Sequence, residues 1–191
     1  MKIGMKKWLD DKGIKFVEFK RFGEVKCAAG RRFRKLEIAE RALEAGTIIN
    51  LPKLKTHGMM ILSMGVKNMF GCVSKTGRVQ WHLKAGVDYA SFGRMLMQVY
   101  EVTRPVLTIV DGVVGMEGEG PASGDPVKLG FLSAGEDAVA VDSVLCSALG
   151  IPPMKLFTTR AAVEYGIGET ELSRIDLCGA KISNFRVKSF K

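Results

Sequence analysis

Residues 48–71 read I-I-N-L-P-K-L-K-T-H-G-M-M-I-L-S-M-G-V-K-N-M-F-G, and the fold turns on how this stretch is parsed. Thr47 to Leu51 is a short apolar run between Gly46 and Pro52, the pattern of a buried strand. Lys53, Lys55 and His57 follow at alternate positions, so an extended backbone would put all three heads on one side. Met59 to Phe70 is again apolar, carries Lys67 and Asn68 near its end, and stops at Gly71. Core packing does not call for lysines, a histidine and a Lys-Asn pair among such neighbours. Anion or metal chemistry does, and the functional site is expected here.

On the amino-terminal side, Phe16 to Lys20 alternates apolar and charged residues as a half-buried strand does. Leu36, Ala39 and Leu43 recur at helical spacing up to Gly46. On the carboxyl side, Ser74 to Arg78 reads as a turn-rich basic loop leading to Val79, Trp81, His82 and Lys84. Tyr89, Phe92, Leu96, Val99 and Thr103 share one face of a long amphipathic helix that Pro105 ends. Val106 to Val110 predicts a strand delivering Asp111 at its carboxyl end, followed by a glycine- and acid-rich loop over 112–126. Leu129 to Ala134 predicts the next strand. Glu136 and Asp137 open a helix closed by Gly150, Pro152-Pro153 begins another that runs to about Tyr165, and Ile175 to Gly179 is a last short strand. Alternating strands and helices predict a layered α/β fold, with a mostly parallel sheet and helices on both faces. The 191 residues suit one domain, with 1–34 a poorly defined basic amino-terminal segment.

The composition, 47% hydrophobic and 26% charged, is that of a soluble globular protein. No apolar run approaches the roughly 20 residues of a membrane-spanning helix. Met1-Lys2-Ile3-Gly4 and the residues after it lack the apolar block of a signal peptide, so a cytoplasmic location is expected. The net charge of +9 is uneven: residues 1–104 hold 21 Lys/Arg against 9 Asp/Glu, and residues 105–191 hold 8 against 11. The basic half admits two readings, a solvated face or a binding module for nucleic acid or an acidic protein, centred on Arg31, Arg32, Phe33, Arg34 and Lys35. Aromatic residues make up only 8%, which ranks the nucleic-acid reading second. Cys27, Cys72, Cys146 and Cys178 are scattered without a C-x-x-C pair, and Cys146 reads as a core residue.

In parallel sheets ligands bind beyond the carboxyl ends of strands. Both polar clusters follow strands, and neighbouring strands would face them across one crevice. The principal reading is therefore a small anionic ligand, with a divalent metal as the cofactor expected beside it. His57, Lys55 and Asp111 are the catalytic candidates: Lys55 neutralises charge, His57 moves protons while adjacent lysines hold it neutral, and Asp111 holds a metal or accepts a proton. Lys53, Lys67 and Asn68 are expected to bind the ligand, as are Gly112, Gly120 and Asp142. Asp111 and Glu117 are the metal candidates. Asp142 has a second reading, as a cap on backbone groups, and His82 is a further candidate. No Walker, Rossmann, nucleophile-elbow or H-E-x-x-H signature is present, so the sequence names no reaction and whether the chain is an enzyme stays open.

Four strings carry a resemblance: N-L-P-K-L-K-T-H (Asn50–His57), G-V-K-N-M-F-G (Gly65–Gly71), I-V-D-G (Ile109–Gly112) with M-E-G-E-G-P (Met116–Pro121), and D-A-V-A-V-D (Asp137–Asp142). In order and spacing they resemble the family called domain of unknown function 362, over about Gly46 to Gly168. The resemblance implies redox company, because that family often occurs beside ferredoxin-like modules with four-iron clusters. It places any iron–sulfur cluster on a partner rather than on this chain. Family members have a longer amino-terminal part with a Lys-Pro-Asn stretch that is not found here, so this chain resembles a shortened member. The partners implied are a ferredoxin-like protein or that missing portion, and a homo-oligomer is left open.

Overall fold

The computed structural model describes residues 5–86, 88–185 and 190; the basic opening residues 1–4 lie outside them. The centre is a five-stranded mixed sheet. β3 (Ile49–Asn50) and β4 (Lys53–His57) lie in line along one side of β6 (Leu107–Glu117), both parallel to it. β5 (Ile61–Ser63) turns back antiparallel on β4, and β7 (Asp125–Gly135) is antiparallel on the other side of β6. Three of the five strands thus run the same way, and the α/β class is as expected. A separate hairpin pairs β1 (Phe22–Lys26) with β2 (Lys35–Ala39).

The helices are α1 (Met5–Asp11), α2 (Glu40–Leu43), α3 (Gly65–Asn68), α4 (Lys75–Ala85), α5 (Tyr89–Thr103), α6 (Ala138–Ala148) and α7 (Phe157–Tyr165). Leu54, Val110 and Phe131 on one face of the sheet pack with Val141 and Leu145 of α6 in one core. A second core gathers Met95, Leu96 and Val99 of α5 with Ile38 of β2, Val66 of α3 and Ala161 of α7. Burying side chains of this size stabilises by roughly 1.5–3 kcal/mol each, so the two cores fix where α3 and α6 lie against the sheet. The expectation of helices on both faces is corrected: α3 and α6 share one face, and on the opposite face the side chains look outward, with Ile49 55% exposed, Leu51 68% and Leu132 66%.

Several local expectations are corrected. Thr47–Leu51 is a two-residue strand whose buried member is Asn50, because the apolar residues beside it lie on the outward face. Phe16–Lys20 is irregular and exposed, and among the described residues no strand pairs with it. Leu36 and Ala39 point inward from β2 rather than from a helix. Ser74–Arg78 is helical: the Ser74 hydroxyl accepts the Gly77 N–H at 3.0 Å and starts α4. Ile175–Gly179 is irregular. The largest revision concerns β6, which continues past Asp111 to Glu117 instead of opening into a loop at Gly112. The glycines there are packing devices. A Cβ on Gly112 would overlap the Phe131 ring, and one on Gly115 would lie 2.9 Å from Leu129 and 3.2 Å from the Leu54 carbonyl.

α5 ends where expected. Arg104 takes a left-handed conformation (φ 45) and its N–H bonds the Tyr100 carbonyl, turning the chain ahead of Pro105. α6 begins at Asp137, whose carboxylate accepts the Val139 N–H at 2.8 Å.

Candidate functional site

The predicted residues separate into two groups. Lys53 and Asp111 occupy paired positions in the parallel β4–β6 ladder, and the Lys53 ammonium donates to Asp111 Oδ2 at 2.5 Å. The cationic and acidic segments therefore meet, as expected, but on the outward face and partway along β6 rather than beyond its carboxyl end. Asp111 Oδ1 also accepts the Val113 N–H at 2.9 Å. The hydrogen bond from Lys53, with that N–H, holds the Asp111 carboxyl below its usual range. Lys55 reaches the Pro121 carbonyl at 3.5 Å, so the tip of the β6–β7 hairpin folds back over β4. A Cβ on Gly120 would overlap Thr56, and the Gly58 N–H donates to the Gly120 carbonyl at 3.3 Å. Gly112 and Gly120 thus serve close backbone and ring approach in this structure. Glu117 closes β6 opposite Asp125. Among the described residues no three His, Cys, Asp or Glu side chains gather as a metal would need.

The second group lies under the sheet. His57, at the carboxyl end of β4, departs from the outward side of Lys53 and Lys55 and is 7% exposed. Its Nδ1 accepts the N–H groups of Met59 and Met60 at 3.2 and 3.3 Å, which leaves the proton of the neutral ring on Nε2. His82 of α4 stacks near it, ring centroids 6.1 Å apart, and packs edge-on against Phe70 and Phe92. His82 Nδ1 is buried with no hydrogen-bond partner among the described residues. Lys67 of α3 holds its ammonium 5.7 Å from the centre of the Phe70 ring. Among the described residues no carboxylate forms an ion pair with Lys67.

The electrostatics follow from this packing. Burial lowers the Lys67 ammonium to about 8. Burial, then the charge of Lys67 and then His82, lowers His57 to about 4. His82 is lowered by burial and by the charges of Lys67 and Arg78. At neutral pH the group is one cation near two neutral imidazoles, an arrangement that favours an incoming negative charge.

Asn68 and Asp142 anchor Lys67 from below. Asn68 donates to the Asn50 side-chain carbonyl at 2.7 Å, and Asn50 in turn donates to the Gly65 carbonyl at 2.8 Å and to the Thr108 hydroxyl at 3.2 Å. Asp142, 3% exposed, accepts the Gly65 and Val66 N–H groups at 2.7 and 3.1 Å, which is the capping role. Burial pushes the Asp142 carboxyl up to about 7 despite those two bonds. Sequence reasoning passed over Asn50 in this scaffold. The available signal was a lone amide inside an apolar strand, a group that must find partners once buried.

The family model described as "Domain of unknown function (DUF362)" matches residues 1–147. The chain belongs to this family. The match reaches residues amino-terminal to Gly46 and ends before Gly168, which shifts the span expected from the four strings. The chain is also 38% identical over 157 residues to the thylakoid-associated protein sll1697 of Synechocystis sp. (strain ATCC 27184 / PCC 6803 / Kazusa). That alignment covers 82% of this chain and 48% of the relative, so the chain spans about half of that protein's length. No solved structure matches. Among the described residues no helix is long and apolar enough to cross a membrane.

Proposed function

We propose that this chain binds a small anion, of the carboxylate or phosphate class, at Lys67 with His57 and His82 beside it. The observation that carries this reading is Lys67 itself: a partly buried ammonium against Phe70, with no carboxylate to balance it among the described residues. A cation withdrawn from water without a negative charge to balance it is unfavourable, and an anionic ligand would relieve that penalty. The Asn68–Asn50–Thr108 ladder and the Asp142 cap support the site by fixing α3. The Lys53–Asp111 pair is already neutralised, and its exposure makes it the weaker anchor. The alternative basic patch is partly committed elsewhere: Arg31 is paired with Glu101 and stacked on Tyr165, and Lys35 is paired with Glu24.

Titrations of inorganic phosphate and acetate, followed by thermal unfolding, test the proposal. The expected result is a saturable rise in Tm for the wild-type chain that disappears in Lys67→Met and persists in Lys53→Met. A rise of the same size in Lys67→Met would overturn it. The redox company and iron–sulfur partner rest on the family resemblance, and co-purification of a ferredoxin-like protein with the tagged chain is their test.

A further inference from the structure

We propose that the chain holds one nucleotide unit, free or within a single strand, in a cavity between α4, the start of α5 and the β1–β2 loop. The base lies against Phe33 and Trp81, and its phosphate is held by Arg32 and Lys84. None of Lys67, His57 and His82 lines this cavity, so the proposal does not rest on the reading given for them. Its volume is about 190 Å³. That is below the roughly 300–1,000 Å³ of sites enclosing a whole drug-sized ligand, and suits one planar ring. Phe33, Trp81 and Phe92 contribute rings to the wall. Phe33 and Trp81 meet nearly at right angles, with centroids 4.7 Å apart and planes at 76°. A flat ring stacked on either one meets the other edge to face, so both geometries that aromatic pairs favour are available together.

The cations on the wall are uncommitted. The Arg32 guanidinium rests 5.6 Å from the centre of the Phe33 ring and the Lys84 ammonium 5.0 Å from that of Trp81. Among the described residues neither pairs with a carboxylate. An exposed cation on a ring face is held weakly, so each can swing to a phosphate while the base takes its place. Asp88, the carboxylate in the lining, accepts the Ser91 N–H at 2.8 Å as the cap of α5. The loop is fixed before any ligand arrives. Gln98, fully buried in α5, accepts the Phe33 N–H at 3.1 Å and donates to the Phe33 carbonyl at 2.7 Å. Arg31 beside it donates twice to Glu101, at 2.8 and 2.6 Å. Such preorganisation lowers the cost of binding. The fold thus withdraws Arg31 and Lys35 from the basic run into ion pairs and sets Trp81 and Lys84 beside Arg32 and Phe33. Stacking plus backbone cations is the chemistry by which single strands are held without sequence readout.

Trp81 reports on its own site. In the full chain carrying Trp8→Phe, Trp81 is the remaining tryptophan. Its fluorescence is followed as AMP or an eight-residue deoxyadenylate strand is added, with inorganic phosphate as the control. The expected result is saturable quenching by a nucleotide probe that phosphate alone does not produce and that Lys67→Met leaves unchanged. Arg32→Gln and Lys84→Gln should each weaken it about tenfold, with thermal unfolding the same as in the parent. A strand that saturates at lower concentration than AMP, and loosens steeply with salt, identifies the single strand as the source; the reverse order identifies the free nucleotide. No saturable quenching by either probe, or quenching of undiminished affinity in the Arg32→Gln/Lys84→Gln double variant, would overturn the proposal.

Discussion

At the scale of single residues, the energetics of the site follow from which groups lose water. Lys67 has a folded pKa of about 8 against 10.5 unfolded, so the unfolded chain holds more protons between those values. Stability should therefore climb as pH rises from about 8 to 10.5. Lys67→Met should flatten that slope and, with no ligand present, raise stability at pH 7 by about 1–2 kcal/mol, given 1.36 kcal/mol per pKa unit and partial exposure. Urea unfolding at pH 7, 8, 9 and 10 checks both. His57 has the same sign at lower pH. Its pKa of about 4 against 6.5 gives a contribution that is present above 6.5 and lost as pH falls toward 4. His57→Gln should remove that acid-dependent term, up to about 3 kcal/mol by the same conversion. Asp142, raised to about 7, works the other way, its contribution being lost as pH rises from about 4 to 7. The His57→Gln variant should then be more stable near pH 4.5, relative to wild type, than near pH 7, and a difference independent of pH would refute the His57 assignment.

At the scale of elements, α3 exists because three others hold it. Gly65 is required by the space available: a Cβ would lie 2.9 Å from Asp142 Oδ1, 3.0 Å from the Thr108 methyl and 3.1 Å from Ala138 Cβ. Gly65→Ala must push α3 off α6, and should destabilise by about 1–3 kcal/mol. It should also weaken anion binding more than its loss of stability explains, and calorimetry on the folded variant measures this. The β4–β6 pair should matter less. Its two side chains are 41% and 43% exposed, so a double-mutant cycle with Lys53→Met and Asp111→Asn should return about 0.2–1 kcal/mol, shrinking in salt. A coupling above about 2 kcal/mol would mean that the pair is shielded from solvent.

At the scale of the whole molecule, the sheet buries one face in a core and leaves Ile49, Leu51 and Leu132 largely exposed on the other. Leu132→Gln should therefore change stability by less than about 0.5 kcal/mol, where a core leucine of the same size would lose several. Chemical denaturation of that variant beside Leu54→Ala, whose side chain is fully buried, makes the contrast measurable.

Long periodic segments were legible in the sequence. α5 and α6 have apolar positions at helical spacing and explicit stops, and the apolar run 106–110 gave the start of β6. Local chemistry also placed Asp137 at a helix start, whereas the meeting of Lys53 and Asp111 hung on whether their strands were neighbours. Composition misled where glycine had two meanings. The 112–117 stretch looks like a loop, yet its glycines are demanded by Phe131 and Leu54, residues far away in sequence. The direction of His57 was equally invisible, because period two holds only while the strand lasts and Met59 and Met60 draw the ring inward at its end. The sequence by itself determined the α/β class and the main helices, since each depends on local periodicity and side-chain chemistry. Only the tertiary structure decided that Lys53 and Asp111 neutralise each other on an outward face while Lys67 is partly buried with no carboxylate paired to it among the described residues, because pairing and desolvation depend on distances between segments that no local pattern encodes.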